Sequence, residues 1–578
     1  MREHREIRRR GTARRLVLAA LAVGAMTMLA GCLVPNNQIT GKRGGTLSVL
    51  DTTYLDSIDP GQSYSDASYL VTYATQRPLY GFDPGRSKEG VIPDLAQGVP
   101  EITDRATRVD VHLRGGVHYS PPVNREVRAA DVKYAIERAF TQSVENPYVH
   151  AYFSDIVGAR QFAAGHAREI SGIEVKGDLD LVFHLDRGTG RVLANALTLP
   201  VTAPVPQQYA EQFDRGARST YGLHQVATGP YMVRTGTYVP GKQVELLRNP
   251  NWNRDTDFRP AFADRIVLHF ELLDPGATAT RILDGRGMLS GGFTPPAGVL
   301  HDATRDRPDQ VVRPQAPGTQ WVTLNTQVAP FDRVDVRRAV SAAIDREALR
   351  TISGGAEVGD LATHYIPPGI PGFDEGGGYA GPQLDFLSNP RGDLALAHRY
   401  LAKAGYPGGR YTGPAVTMVG YDHGRGRSIA LAVRAQLTRL GIPVHLRVLD
   451  NGVADQAYCS VPATNVAVCP ETSWGADFLD GQTILDPTFN GRNIRQRDNI
   501  NQSQLDEPAI NAAMARAELV TGQADRAGAW GAIDRSVASS APAVPWLWSR
   551  TVALRSANVK GAIYPLTGGW DLAFCSLK

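Results

Sequence analysis

Four cysteines and thirteen histidines are the residues of this chain most able to do chemistry, and their spacing argues against most of it. Cys459, Cys469 and Cys575 match no zinc-ligand spacing, and the histidines are scattered singly. No His-Glu-x-x-His, no Gly-x-Ser-x-Gly and no supported Cys–His pair occurs, so the motifs of metalloproteases, esterases and thiol proteases are missing. His423-Gly424-Arg425-Gly426-Arg427 has neither the glycine pattern nor the lysine of a phosphate loop and reads as a solvated turn. In an oxidising setting Cys459–Cys469 is the most economical disulfide, because its loop is short and local; Cys575 is then a free, buried thiol. By composition alone, Asp477-Phe478-Leu479-Asp480-Gly481 reads as a surface turn.

The N-terminus sets the compartment. Seven arginines stand between Arg2 and Arg15, an apolar stretch runs from Leu16 to Ala30, and Leu29-Ala30-Gly31-Cys32 follows. The stretch is too short to span a bilayer comfortably, so residues 1–31 read as a signal peptide. Small residues before a thiol resemble a bacterial lipobox, which makes Cys32 the expected lipid-attachment site. Residues 32–43 are polar and read as a disordered tether. The formal net charge is +3, but the leader holds seven arginines against Glu3 and Glu6, so the mature chain is near −2. A global nucleic-acid-binding charge is absent.

Roughly 546 residues remain, enough for two or three domains. Gly44–Leu50 is a short apolar run bounded by glycines, read as a strand, and Asp59-Pro60 is a turn. Val132, Ala135, Ile136, Ala139 and Phe140 fall on one face of a helix over 131–140. A second amphipathic helix is expected from about Val334 to Leu349, capped by Asp332 or Asp335, with Arg337, Arg338, Asp345 and Arg346 solvated. Val416–Val419, Ser428–Leu440 and the alternating Val444, Leu446 and Val448 form a βαβ unit, so at least one α/β sheet is present.

Several stretches in order resemble the extracytoplasmic dipeptide and oligopeptide-binding proteins of ABC transporters, the solute-binding family 5. They include Gly44-Gly45-Thr46-Leu47, Leu55–Pro60, Leu79-Tyr80-Gly81, Pro93–Ala96, Ala130–Tyr134, Thr228-Gly229-Pro230-Tyr231 and Arg248–Trp252. The most recognisable is Pro330-Phe331-Asp332 leading into Val336–Val340 and Ala343–Arg346. The similarity covers essentially the whole mature chain, although Pro121-Pro122 stands where the family has a glycine-centred turn.

The resemblance implies an α/β, two-lobed periplasmic-binding-protein-like type II fold with an additional subdomain in the first half. Lobe I is expected over 44–80, 206–316 and 545–578, the extra subdomain over 81–205, and lobe II over 317–544. Trp474-Gly475-Ala476-Asp477-Phe478 matches the family segment whose aspartate receives a ligand's α-ammonium and whose tryptophan lines the neighbouring pocket. Asp477, Trp474 and Gly475 are therefore expected at the ligand. Tyr148, Tyr152 and Phe153 fall where the family offers an aromatic from the other side, with core packing the fate of two of the three; Asn325 ends an apolar strand running towards the cleft. The implied protein binds short peptides, needs no cofactor or metal, is monomeric, and works with ABC permease and ATPase subunits while lipid-anchored outside the cytoplasmic membrane. The alternatives are a non-peptide solute (an oligosaccharide, metal chelate or opine), a peptide-signal receptor, or a secreted hydrolase.

Overall fold

Two adjacent glycines launch the first strand. Gly44 and Gly45 take φ of +98° and +82°, a region that side chains resist, and turn the chain into Thr46–Leu50. This strand pairs in parallel with Arg265–His269 and Leu289–Ser290, and Gln243–Arg248 and Tyr231–Val233 extend it into a five-stranded sheet. The computed structural model describes residues 39–85, 91–146, 148–422 and 424–578. The expected signal peptide, Cys32 and the tether as far as residue 38 lie outside the described residues. The tether does not reach 43. Gly41 is packed so tightly on Ser576 and Phe262 that a Cβ there would come within 2.8 Å of both, so this part of the chain is already held by the folded body.

A four-stranded antiparallel sheet follows in sequence, ordered Glu101–Thr103, Arg108–His112, Asp180–His184, Ile173–Lys176. The helix Ala129–Ala139 buries Val132, Ala135, Ile136 and Ala139, the face expected from their spacing. Val132, Ile136 and Ala139 join Val109, Val111 and Phe183 of the sheet in one core. Two buried ion clusters fasten this body to the five-stranded sheet's side. Arg138, on the helix, donates to both carboxylate oxygens of Asp59 at 2.7 and 2.9 Å, and Arg77 donates to Asp94 at 2.8 Å while Arg259 pairs with Asp94 and Asp257. Charges so enclosed persist only when paired and hydrogen-bonded.

The largest sheet has six strands, ordered Gly359–Asp360, Ala543–Arg550, Gln315–Leu324, Val468–Gly475, Val416–Tyr421, Val444–Leu449. Its last two strands are parallel and joined by the helix Gly426–Arg439, which is the expected βαβ unit. Ala543–Arg550 lies wholly in this sheet, so the return to the first lobe expected at 545 comes after 550. The remaining C-terminal segment then pairs Ala553–Leu554 with Val311–Val312 and Leu289 with Arg555.

The helix expected over 334–349 is two helices, Val334–Ala343 and Arg346–Ser353. Asp345 breaks it by accepting a hydrogen bond from the Ala348 N–H at 2.8 Å as the cap of the second helix. Neither Asp332 nor Asp335 caps the first, whose cap position is Arg333. Arg337 and Arg346 are buried, not solvated. Arg337 donates to the carbonyls of Ser540 and Phe331, and Arg346 to those of Ala362 and Leu387. Their guanidinium groups donate to backbone carbonyls of distant segments, which helical periodicity does not report. Cys459 and Cys469 form the expected disulfide, and Cys575 is free and buried, its thiol pushed up to about 12 by burial. No helix among the described residues is long and apolar enough to cross a membrane.

Candidate functional site

The strand Val468–Gly475 ends at an exposed glycine, and Ala476 is pinned by a 2.7 Å bond from its N–H to the Pro317 carbonyl. Asp477 follows. Its own N–H donates to Thr483 Oγ1 at 2.7 Å, which folds the 476–481 loop back onto the start of the helix Gln482–Phe489. The Trp474 indole N–H holds the same turn, donating to the Thr483 carbonyl at 2.8 Å. The expected surface-turn geometry is thus present, but the turn faces inward.

Across from it the four-stranded body contributes Tyr152, whose hydroxyl donates to Asp477 Oδ2 at 2.5 Å and lies 3.3 Å from Thr483 Oγ1. Tyr152 packs edge-on against Phe478, and Tyr148 stands beside it at 6.5 Å between ring centroids. A third side is the helix Asp66–Thr75: Tyr69 and Tyr73, one turn apart, both feel the Asp477 charge, as do Tyr148 and Tyr152. Asp477 therefore sits in a cleft flanked by phenols from two other parts of the chain. It keeps a strip of accessible surface, as a group facing a narrow cleft does, yet loss of water dominates its titration. Burial pushes its carboxyl up to about 7, only partly offset by the hydrogen bonds of Tyr152 and Thr483. No cationic side chain contributes to that balance.

Other cross-cleft links lie close by. Asn195 donates to Asp480 at 3.3 Å, and Arg187 donates to the buried Glu518 at 2.5 Å. These bonds join the four-stranded body to the six-stranded side, so the cleft is held shut around the carboxylate.

The structure brings together Asp477, Trp474, Gly475 and Tyr152. Phe153 is fully buried in the four-stranded body's core and presents nothing to the cleft. Asn325 is also apart. Its N–H bonds the Ala467 carbonyl, at the far end of the Val468–Gly475 strand from Asp477, a separation of about 24 Å at the usual rise per residue. Its side chain is occupied with the Val466 carbonyl and the Gln327 N–H. The Gly318 end of the strand Gln315–Leu324, not the Asn325 end, lies towards Asp477, and Asn325 is a satisfied structural asparagine. Sequence reading missed Tyr69, Tyr73 and Thr483; the spacing of the two tyrosines on one helix face was a visible signal.

Residues 90–496 match the family model described as bacterial extracellular solute-binding proteins, family 5 Middle. The chain belongs to this family. Among curated relatives, the glutathione-binding protein GsiB of Salmonella paratyphi A is 22% identical over 515 residues, covering 89% of this chain and 91% of that protein. Among solved structures, clavulanic acid biosynthesis oligopeptide binding protein 2 superposes with a TM-score of 0.80 at 28% identity, covering 93% of this chain and 96% of that one. The periplasmic binding protein DppA of Helicobacter pylori, in complex with the peptide STSA, gives 0.76 at 21% identity over 93% and 98%. The two-lobed α/β fold is that of the periplasmic oligopeptide-binding proteins. In this family 5 protein, Asp477 lies between the six-stranded side, the four-stranded body and the helix Asp66–Thr75.

Proposed function

We propose that this chain is the solute-capturing component of an ABC importer, and that it closes its lobes on a short peptide whose α-ammonium is received by Asp477. One observation carries the reading: a carboxylate stripped of most of its water, flanked by phenols and left without a cation. Such a group is costly until a positive charge arrives, and an ammonium supplies the charge and three donors at once. On this reading Tyr152 Oη and the exposed Gly475 bond the peptide's first residue, and Trp474 walls the next position. Main-chain recognition of this kind tolerates varied side chains. Among the relatives, the names that refer to glutathione and oligopeptides agree with a peptide-like ligand, while those of heme-binding protein A and of AgaA in complex with agropinic acid refer to other solutes.

The protein works by binding and release without covalent change, as a monomer, delivering its ligand to permease and ATPase subunits. A lipid on Cys32 holds it at the outer face of the cytoplasmic membrane. The first lobe is built on the five-stranded sheet, with the four-stranded body as the extra subdomain; the second is built on the six-stranded sheet. Isothermal titration with a tripeptide set, each peptide free and N-acetylated, tests the central claim. Binding of free peptides and loss of binding on acetylation are expected; equal affinity for both forms, or no heat from any peptide, removes it.

A further inference from the structure

Next to Asp477 a small pocket has a chemistry of its own. One wall is the helix Asp66–Thr75, through Tyr69 and Tyr73; the other is the C-terminal segment, through Tyr564, Trp570 and Asp571. Tyr73 and Tyr564 stack with ring centroids 4.4 Å apart, and Ala476 and Leu479, on either side of Asp477, pack against this cluster. The pocket therefore adjoins the position assigned to the ligand's ammonium.

Three polar atoms on its walls lack a hydrogen-bond partner: the hydroxyls of Tyr73 and Tyr564 and the indole N–H of Trp570. Their residues are only 6%, 5% and 3% exposed. The two hydroxyls interact with each other without a well-formed hydrogen bond, and even such a mutual contact leaves one hydroxyl hydrogen and the indole N–H to be matched. Asp571, equally enclosed, accepts from the Ala573 N–H at 3.1 Å. Buried donors and acceptors in native proteins are almost always matched, so donors left over on residues that line one pocket call for an occupant.

The walls restrict what that occupant is. An indole N–H only donates, so the occupant needs a lone pair; the Asp571 carboxyl, which burial pushes up to about 7, accepts when ionised and donates when protonated, so an occupant that pairs with both forms carries a hydrogen as well. An ammonium has no lone pair, a carbonyl no hydrogen and a methyl neither. A hydroxyl has both. The cavity is about 10 Å³, the room one water-sized group requires, which excludes longer side chains.

We propose that this pocket is a hydroxyl-reading subsite which, on the reading that Asp477 holds a peptide's α-ammonium, receives the first side chain and selects serine over alanine and over larger residues.

The test is isothermal titration of Ser-Gly-Gly, Ala-Gly-Gly and Leu-Gly-Gly against the wild type and the double variant Tyr73→Phe/Tyr564→Phe, which keeps both rings and removes both hydroxyls. The wild type is expected to favour Ser-Gly-Gly over Ala-Gly-Gly by about tenfold, the order of discrimination seen where buried polar groups are otherwise left unpaired, and Leu-Gly-Gly to be weakest. In the double variant the Ser/Ala ratio is expected to fall to about twofold or less, any effect of the Tyr73 change on Asp477 being common to both peptides and cancelling in the ratio. Trp570→Phe, removing a different donor, is measured in parallel, and a thermal melt identifies any variant that fails to fold. Equal wild-type affinity for the serine and alanine peptides overturns the subsite, leaving a pocket that holds only water, while the role of Asp477 stands. A serine preference that survives in both folded variants overturns it as well, since the selection then arises elsewhere. Silence with every peptide overturns the subsite together with the peptide reading itself.

Discussion

Replacing Asp477 by asparagine preserves shape and hydrogen-bonding capacity but removes the charge proposed to receive a ligand cation. Truncating one side of a buried, hydrogen-bonded charge pair costs about 2–4 kcal/mol, so a peptide should bind about 30- to 1,000-fold more weakly to Asp477→Asn. The pH profile makes the claim sharper. The free carboxyl titrates at about 7 and must be ionised to receive the ligand, so affinity falls as pH drops through that value. The peptide's amine has an ordinary pKa of about 7.7–8.0 and must be protonated, so affinity also falls on the alkaline side. The product of the two fractions peaks at about pH 7.4 and is about fivefold lower at pH 6. In Asp477→Asn the acid limb should vanish while the alkaline limb, which belongs to the peptide, persists. Titration calorimetry across pH 5.5–9 with one tripeptide reads all of this. Unchanged affinity in the variant, or an acid limb that survives the substitution, refutes the reasoning.

The same carboxylate has a stability signature of opposite sign. Its folded pKa is raised, from 3.8 to about 7, so the unfolded chain ionises first and the unliganded protein loses stability as pH rises from about 4 to about 7. The shift corresponds to at most about 4 kcal/mol, less because the group still meets some water, and Asp477→Asn should therefore raise the melting temperature of free protein at pH 7.5. A lower melting temperature counts against a desolvated carboxylate. Asp59→Ala strands the buried Arg138, which keeps Asp214 at 2.7 Å as its remaining acid partner. A loss of about 3 kcal/mol in urea unfolding is expected, and a change under 1 kcal/mol shows that this seam does not hold the subdomain. Cys459→Ser with Cys469→Ser opens a short loop and should cost about 2–3 kcal/mol in the same assay, with less than twofold effect on peptide affinity; a larger affinity loss places the disulfide in the binding mechanism.

How far these features could be read from the sequence follows from how local their causes are. The helix Ala129–Ala139 and the βαβ unit from Val416 to Leu449 have their reasons within a few turns of chain, in apolar spacing and a stopping glycine, and both appear as expected. Arg337 and Arg346 went the other way because their partners are carbonyls of Ser540, Phe331, Ala362 and Leu387, and nothing in a helical repeat records a distant carbonyl in need of a donor. Asn325 shows a related limit: an apolar strand announces its existence but not which of its ends points at the cleft. Asp477 was found through a family segment, since its own pentapeptide describes a turn equally well on a surface or in a cleft. What suits it to the proposed role is the enclosure that raises its pKa, and that enclosure is assembled from Tyr152, 325 residues away, and from Tyr69 and Tyr73 on a third element. Desolvation is a property of the assembled cleft, so a mutation in any of those walls should move the Asp477 pKa without touching the segment that identified it.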